Sequence, residues 1–252
     1  MMSVKKSNNT VSLTVNIIAN LKVHITALRS EFQLAQPVYA MNWFNTNWLW
    51  LYNFYNLLAA RSVLKIDGLP FFKARVERTL HGNIEDRRTM LLIVRYPSIE
   101  NFKRMLESRY FQFVSLFRDI AVKEFTFSFS TRLDVQDTQN SLPITKIDNY
   151  GVYAVHHFRI HDDLNSAALT KQVRELAKEA RVDLVFSSEI SARLYTQQGE
   201  KEALPVDTVM ENCLILQAQT DADIELLINS DAYQALIAKT QGSFIATLNR
   251  VF

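Results

Sequence analysis

An internal repeat limits what this chain can become more than any other feature. The stretch Arg88 to Phe117, RTMLLIVRYPSIENFKRMLESRYFQFVSLF, returns in degraded form as Glu211 to Lys239, ENCLILQAQTDADIELLINSDAYQALIAK. Met105 to Gln112 lies over Leu227 to Gln234, keeping the serine (Ser108, Ser230), an aromatic three residues on (Phe111, Tyr233) and the next glutamine. Farther upstream, Val38 to Phe44 lies over Val152 to Phe158. Two matches in the same order define a tandem repeat, and a repeat sets the fold before any local motif does. With 252 residues, 48% of them hydrophobic, the chain can bury a core in each copy.

Within each copy the apolar period switches between two and 3.6 in the same sequence. In the first copy, Pro37 to Phe44 reads as a strand and about Trp48 to Ile66 as a helix stopped by Asp67-Gly68. Leu69 to Leu80 alternates, with Phe72, Ala74 and Val76 on one face and Lys73, Arg75, Glu77 and Thr79 on the other. Met90 to Val94 is a third strand. Ser98 caps a helix with Ile99, Phe102, Met105 and Leu106 on its apolar stripe, and Glu124 to Leu133 alternates again. The second copy repeats this plan: strand Tyr150 to Ile160, helix Asn165 to Ala180, strand Val182 to Tyr195, strand Met210 to Gln217, helix Asp221 to Thr240 and strand Ser243 to Phe252. The expected organisation is an extension over 1–36, a first repeat over 37–134, a polar linker over 135–149 and a second repeat over 150–252. In the extension, Lys5-Lys6 followed by Val11 to Leu21 has the outline of a signal peptide, but Ser12, Thr14, Asn16 and Asn20 break the apolar run. An amphipathic helix packed on the body or a neighbouring chain fits it better.

Two βαββαβ units make an α+β protein in which each four-stranded sheet carries helices on one side and is bare on the other. Each bare side needs cover, so the sheets are expected to pair as an α/β barrel, within the chain or in a dimer. On the alternation above, Arg75, Glu77, Arg95, Ser128 and Ser130 in the first copy turn away from the helices. Ser187, Glu189, Ser191, Arg193 and Thr247 do so in the second. A ligand cavity is expected between these faces.

Phe32 to Ala60 contains no charged residue and holds all three tryptophans. About 20 apolar residues would span a bilayer, but Asn42, Asn45, Asn47, Asn53 and Asn56 interrupt the run. A buried or interface helix is the expectation, with no transmembrane segment; aromatic richness suits an oligomer interface. The net charge of +2 is unevenly spread. Residues 37–133 hold 14 Lys/Arg against 8 Asp/Glu, and residues 134–252 hold 10 against 17. Such an imbalance could order a homo-oligomer, and no basic, aromatic-interleaved sheet face calls for nucleic acid. Cys213 is the one cysteine; it excludes an intrachain disulfide and multi-cysteine metal sites and suits a cytoplasmic protein.

Asp67-Gly68, the run Arg88 to Ile99 with its aromatic-Pro-Ser end (Tyr96-Pro97-Ser98), and Glu107-Ser108-Arg109-Tyr110 together resemble the ferredoxin-like, dimeric α/β-barrel superfamily, in particular a bacterial domain-of-unknown-function family. The second copy departs from it, lacking the glycine and carrying Ala218-Gln219-Thr220 in place of Tyr-Pro-Ser. The resemblance implies fold and pairing mode. It leaves activity open, because the superfamily includes monooxygenases, isomerases, haem proteins and simple binders.

Candidate chemistry is sparse. His156-His157 sits mid-strand, so one ring points to each side; His157 shares its face with Arg159. Glu77 or Glu189 beside Arg75 or Arg193 could form a base with an anion clamp, or simple cross-strand ion pairs. The candidate ligand-binding residues are therefore Arg75, Glu77, Arg95, His157, Arg159, Glu189 and Arg193. No metal site and no cofactor is called for by the residues, although a histidine could hold haem by analogy with haem-binding members. The reading is a small-molecule-binding α/β-barrel protein. The alternatives are a cofactor-independent enzyme of monooxygenase or isomerase type and a haem-binding protein.

Overall fold

The computed structural model describes residues 13–27, 36–82, 88–133, 151–160, 165–198, 201–202 and 212–251. The linker expected over 135–149 and the residues His161, Asp162 and Asp163 lie outside them. The first unit comprises β1 (Val38–Thr46), α2 (Leu49–Leu64), β2 (Leu69–His81), β3 (Met90–Tyr96), α3 (Ile99–Glu107), α4 (Arg109–Ala121) and β4 (Val122–Arg132), preceded by α1 (Leu13–Ala27). The second comprises β5 (Val152–Ile160), α5 (Ser166–Glu179), β6 (Asp183–Gln198), the short β7 (Lys201–Glu202), β8 (Asn212–Ala218), α6 (Asp221–Asn229), α7 (Asp231–Ile237) and β9 (Thr240–Arg250).

Strands run in the order β4-β1-β3-β2-β9-β5-β8-β6, and β6 pairs back onto β4, so eight antiparallel strands close on themselves. The fold is thus two ferredoxin-like units paired edge to edge within one chain as an α/β barrel. The repeat is visible in the register: Val38 stands opposite Tyr96 as Val152 stands opposite Ala218, and Phe44 opposite Met90 as Phe158 opposite Asn212.

The helix expected to start at Ser98 and the one expected over 221–240 are each broken in two. Ser108 adopts an extended ψ of 133° and accepts a hydrogen bond from the Phe111 N–H; Ser230 does the same for Tyr233. The repeated serine ends one helix and caps the next, supplying an acceptor to N–H groups that a new helix start leaves unpaired. The caps that open α3 and α6 also correspond, with Ser98 accepting from Asn101 and Thr220 forming a capping box with Asp223. At the end of α2, Asp67 takes φ 56°. A Cβ on Gly68 would lie 2.8 Å from Val63 Cγ1, so the turn into β2 requires glycine.

Closing the barrel creates three apolar layers. One lies between the first sheet and α1 to α4, one between the second sheet and α5 to α7, and the third fills the barrel interior. Among the described residues α1 has no counterpart in the second unit. It joins the first helix layer through Leu13, Ile17 and Leu21, and Asn20 donates to the Leu194 carbonyl of β6 at 2.6 Å.

Candidate ligand-binding site

The interior of the barrel is not the expected cavity, because side chains occupy it. Tyr39, Met41, Phe71, Phe72, Leu91, Ile93, Val155, Phe186, Ile215 and Phe244 are all buried there. Tyr39 packs edge-on to Phe71 and to Phe186, with ring centroids 5.4 Å apart in each pair, and the Arg132 guanidinium lies over both of those phenylalanines. Eight strands leave a lumen just wide enough for side chains to fill. This also corrects the alternation of β2. Phe72 and Ala74 pair with Ile93 and Leu91 on the inner face, while Lys73 and Arg75 share the helix-side face with Leu92 and Met90. Both sides of a filled, helix-covered barrel are apolar, so alternation by itself cannot say which side the helices take.

The sequence candidates are accordingly dispersed. Arg75 is exposed and on the helix side, not turned away from it. Glu77 is exposed on the outer surface, accepting from Asn249 Nδ2 at 3.1 Å. Glu189 is exposed and pairs in register with Asn212, next to Ser187, which stands opposite helix-side Leu214. Thr247, opposite Ala154, also faces the helices. Ser128 and Ser130 do turn inward, opposite Met41 and Tyr39. Arg95 is on the inner face at the Tyr39 end. His157 belongs to the opposite end, where its ring stacks on Trp43 (5.0 Å, 29°) and its Nε2 lies 3.4 Å from Cys213 Sγ. Arg193 is close enough to disfavour protonation of His157, and Arg159 shares the His157 face. Of the seven candidates, His157 and Arg193 come together, with Arg159 on the same face of β5.

A cavity of about 280 Å³ lies instead in the helix layer of the first unit. Its floor is the outer face of the sheet (Asn42, Pro70, Leu92, Val94, Tyr96, Phe127), and its walls are Ile17 of α1, the α2 residues from Tyr52 to Val63, and residues of α3 and α4. The lining is mostly apolar. Its polar lining residues are few: Tyr52, Tyr55, Tyr96, Asn42, Asn56 and Arg118. Asn42 Nδ2 is satisfied by the carbonyls of Ala40 and Leu92 at 3.4 and 3.3 Å. Asn56 sits beside Tyr52, close enough for its buried amide to favour the ionised phenol.

Arg118 organises the wall. It is 5% exposed, pairs with Asp119 at 2.7 Å, donates to Thr14 Oγ1 at 2.8 Å, and lies over the rings of Tyr55 and Phe125. Burial opposes its charge, but Tyr55 and Asp119 hold its pKa above the ordinary value. Tyr52, Tyr55 and Tyr96 are all raised, chiefly by burial. At neutral pH the site therefore offers three neutral phenols and one cation. Among the described lining residues there is no carboxylate or imidazole able to accept a proton. The sequence signal was present: Arg118 interrupts the buried stripe Phe111, Val114, Ala121 of α4, and a charge placed there must be paired.

Neither buried histidine suits haem. His156 faces the second helix layer, with Nδ1 2.8 Å from Tyr233 Oη and Nε2 hydrogen-bonded to Ser243 Oγ. His157 is enclosed by Trp43 and Cys213. Burial lowers their pKa values to about 3 and about 4, so both are neutral, but an axial ligand needs an open nitrogen face and neither provides one. Among the described residues no three His, Cys, Asp or Glu side chains converge.

No family model and no curated protein matches the sequence. Solved structures do. The "putative monooxygenase" of Fusobacterium nucleatum subsp. nucleatum is 10% identical, with 86% of this chain and 94% of that one covered at a TM-score of 0.51. An anthrone oxidase-like protein (11%, 86% and 92%, TM-score 0.47) and a chlorite dismutase variant of Candidatus Nitrospira defluvii (10%, 84% and 91%, TM-score 0.46) also align over most of their length. At such identity the Fusobacterium likeness establishes the architecture alone: the class is an α/β barrel of ferredoxin-like units. No described helix is long and apolar enough to cross a membrane.

Proposed function

We propose that this chain binds a compact, largely apolar small molecule in the helix-layer cavity of its first unit, and does so without catalysis of its own. The observation that carries this reading is the lining: an apolar chamber with a few buried polar groups, the Asn56 amide beside Tyr52 among them, and no described group able to take a proton near neutral pH. A general base must lie within reach of the proton it removes and have a pKa near the working pH. Neutral phenols and a guanidinium satisfy neither role. The volume is at the small end of ligand pockets, which run from about 300 to 1,000 Å³. It favours one or two fused rings, or a short branched chain, carrying one acceptor such as a carbonyl or hydroxyl for Asn56.

The test is a thermal-shift and fluorescence titration with 2-naphthol and a panel of similarly sized ketones and alcohols. Binding should raise Tm; Ala59→Phe should abolish it by filling the chamber, and Asn56→Leu should weaken acceptor-bearing ligands about tenfold. Saturable binding that survives Ala59→Phe would place the ligand elsewhere. Turnover of any panel member that is lost on replacing one lining residue would restore the enzyme alternative.

A further inference from the structure

The outer face of the first helix layer is as apolar as its inner face. On α2, Trp50 is 69% exposed and Leu57 73%, with Phe54 beside them; on α4, Phe113 is 62% exposed, flanked by Leu116 and Ile120. These residues form one surface, because Phe54 packs edge-on against Phe117 at 5.5 Å, and Phe117 against Phe113 at 5.9 Å. A helix that is hydrophobic all round belongs in an interior, and α2 buries Leu51, Tyr52, Tyr55, Ala59 and Val63 on its other side. Apolar patches beyond a few hundred Å² mark interaction sites.

We infer that a second copy of this chain covers this face, α2 and α4 of one protomer packing on α2 and α4 of the other about a twofold axis. Two observations select that occupant. The first is area: aromatic side chains expose of order 150–250 Å² each when free, and leucine and isoleucine somewhat less. Ten of them on and beside α2 and α4, from Trp48 to Ile120, are between 43% and 73% exposed, which leaves about 1,000 Å² per protomer. A standard interface needs about 800 Å² per partner. The second is complementarity. Large exposed apolar side chains of the second unit are only Leu226 and Val251 among the described residues, so no other described surface of the chain can match the patch. A patch matched only by itself gives an isologous, closed dimer and not an open chain of copies. The pairing also bears on the cavity, because Leu57 both lines it and stands in the exposed face; the second copy would cap its mouth.

Sedimentation equilibrium of the full chain should give twice the chain mass at micromolar concentration. Trp50→Glu with Phe113→Glu should give the monomer, with association weakened at least 100-fold and circular dichroism unchanged. Leu226→Glu, equally exposed on the second unit, should leave the dimer intact. If the double variant fails to fold, dilution of the native protein decides: because Trp48 and Trp50 lie at the face, tryptophan emission should shift red as the dimer parts. A native protein that stays monomeric at about 100 μM, or that is a monomer captured by vesicles of anionic lipid, overturns the inference. Mass is read without ligand, so its failure is separable from that of the cavity reading.

Discussion

The two units share a topology, a strand register and a set of helix caps, yet they use their helix layers differently. In the second, α5 carries Leu169, Val173 and Ala177 inward and charges outward, and the layer packs down around Phe158, Leu214 and Tyr233. In the first, α2 is apolar on both sides, an extra helix is laid on top, and a cavity remains against the sheet. The polar insertions differ in kind. His156 and Tyr233 satisfy each other inside a filled core, whereas Arg118 and Asp119 tie α1 to α4 through Thr14 and the Leu13 N–H. The comparison teaches that two copies of one topology can pack their helix layers differently, because the barrel interior they share is lined by buried side chains of both.

The largest expected effect tests the second unit. Both histidines have folded-state pKa values lowered by burial, to about 3 for His156 and about 4 for His157, against about 6.5 when unfolded. As pH falls the unfolded chain therefore binds protons first. The stabilisation is complete above pH 6.5 and declines by about 1.4 kcal/mol per pH unit for each histidine until the folded values are reached. Urea unfolding at pH 7 and pH 4.5 should differ by about 5 kcal/mol from these two groups, and a variant with Gln at both positions should lose most of that difference; an unchanged slope would show the rings to be solvated. In the first unit, Arg118→Ala should cost about 3–5 kcal/mol, since it strands Asp119 and frees α1. A cost below 1 kcal/mol by the same assay would mean the pair is not an anchor.

Packing contrasts follow at smaller magnitude. Ala177→Leu adds volume to a filled layer and should destabilise by about 1–3 kcal/mol. Ala59→Leu, aimed into the cavity, should gain about 1 kcal/mol. Equal losses at both sites would erase the distinction between hollow and filled. The smallest effect is chemical. Cys213 is fully buried and burial raises its thiol pKa, so a thiol reagent should label it only as fast as the protein unfolds; prompt labelling would show the inner layer to be open.

Much of this architecture was legible beforehand. The repeat, the order of strands and helices, and the split of His156 from His157 across the sheet follow from period and self-similarity. The internal breaks at Ser108 and Ser230 could have been seen, because a repeated serine three residues before an aromatic is also a capping position. The site was not legible. Arg75 and Glu77 read as inner-face residues if Phe72, Ala74 and Val76 take the helix side, and Glu189 likewise on its own strand; a period of two reports two faces without naming them. Tyr52, Tyr55 and Tyr96 looked like ordinary core aromatics, since a void between a helix and a sheet leaves no mark in the residues around it.

The amino-acid sequence alone decided that there are two βαββαβ units and the order of their elements, because propensity, capping and periodicity act over a few residues. Only the tertiary structure decided that the units close into one barrel, that side chains fill its lumen, and that space survives beneath α2. Those outcomes depend on how volumes from distant segments add up, and no local pattern records that sum.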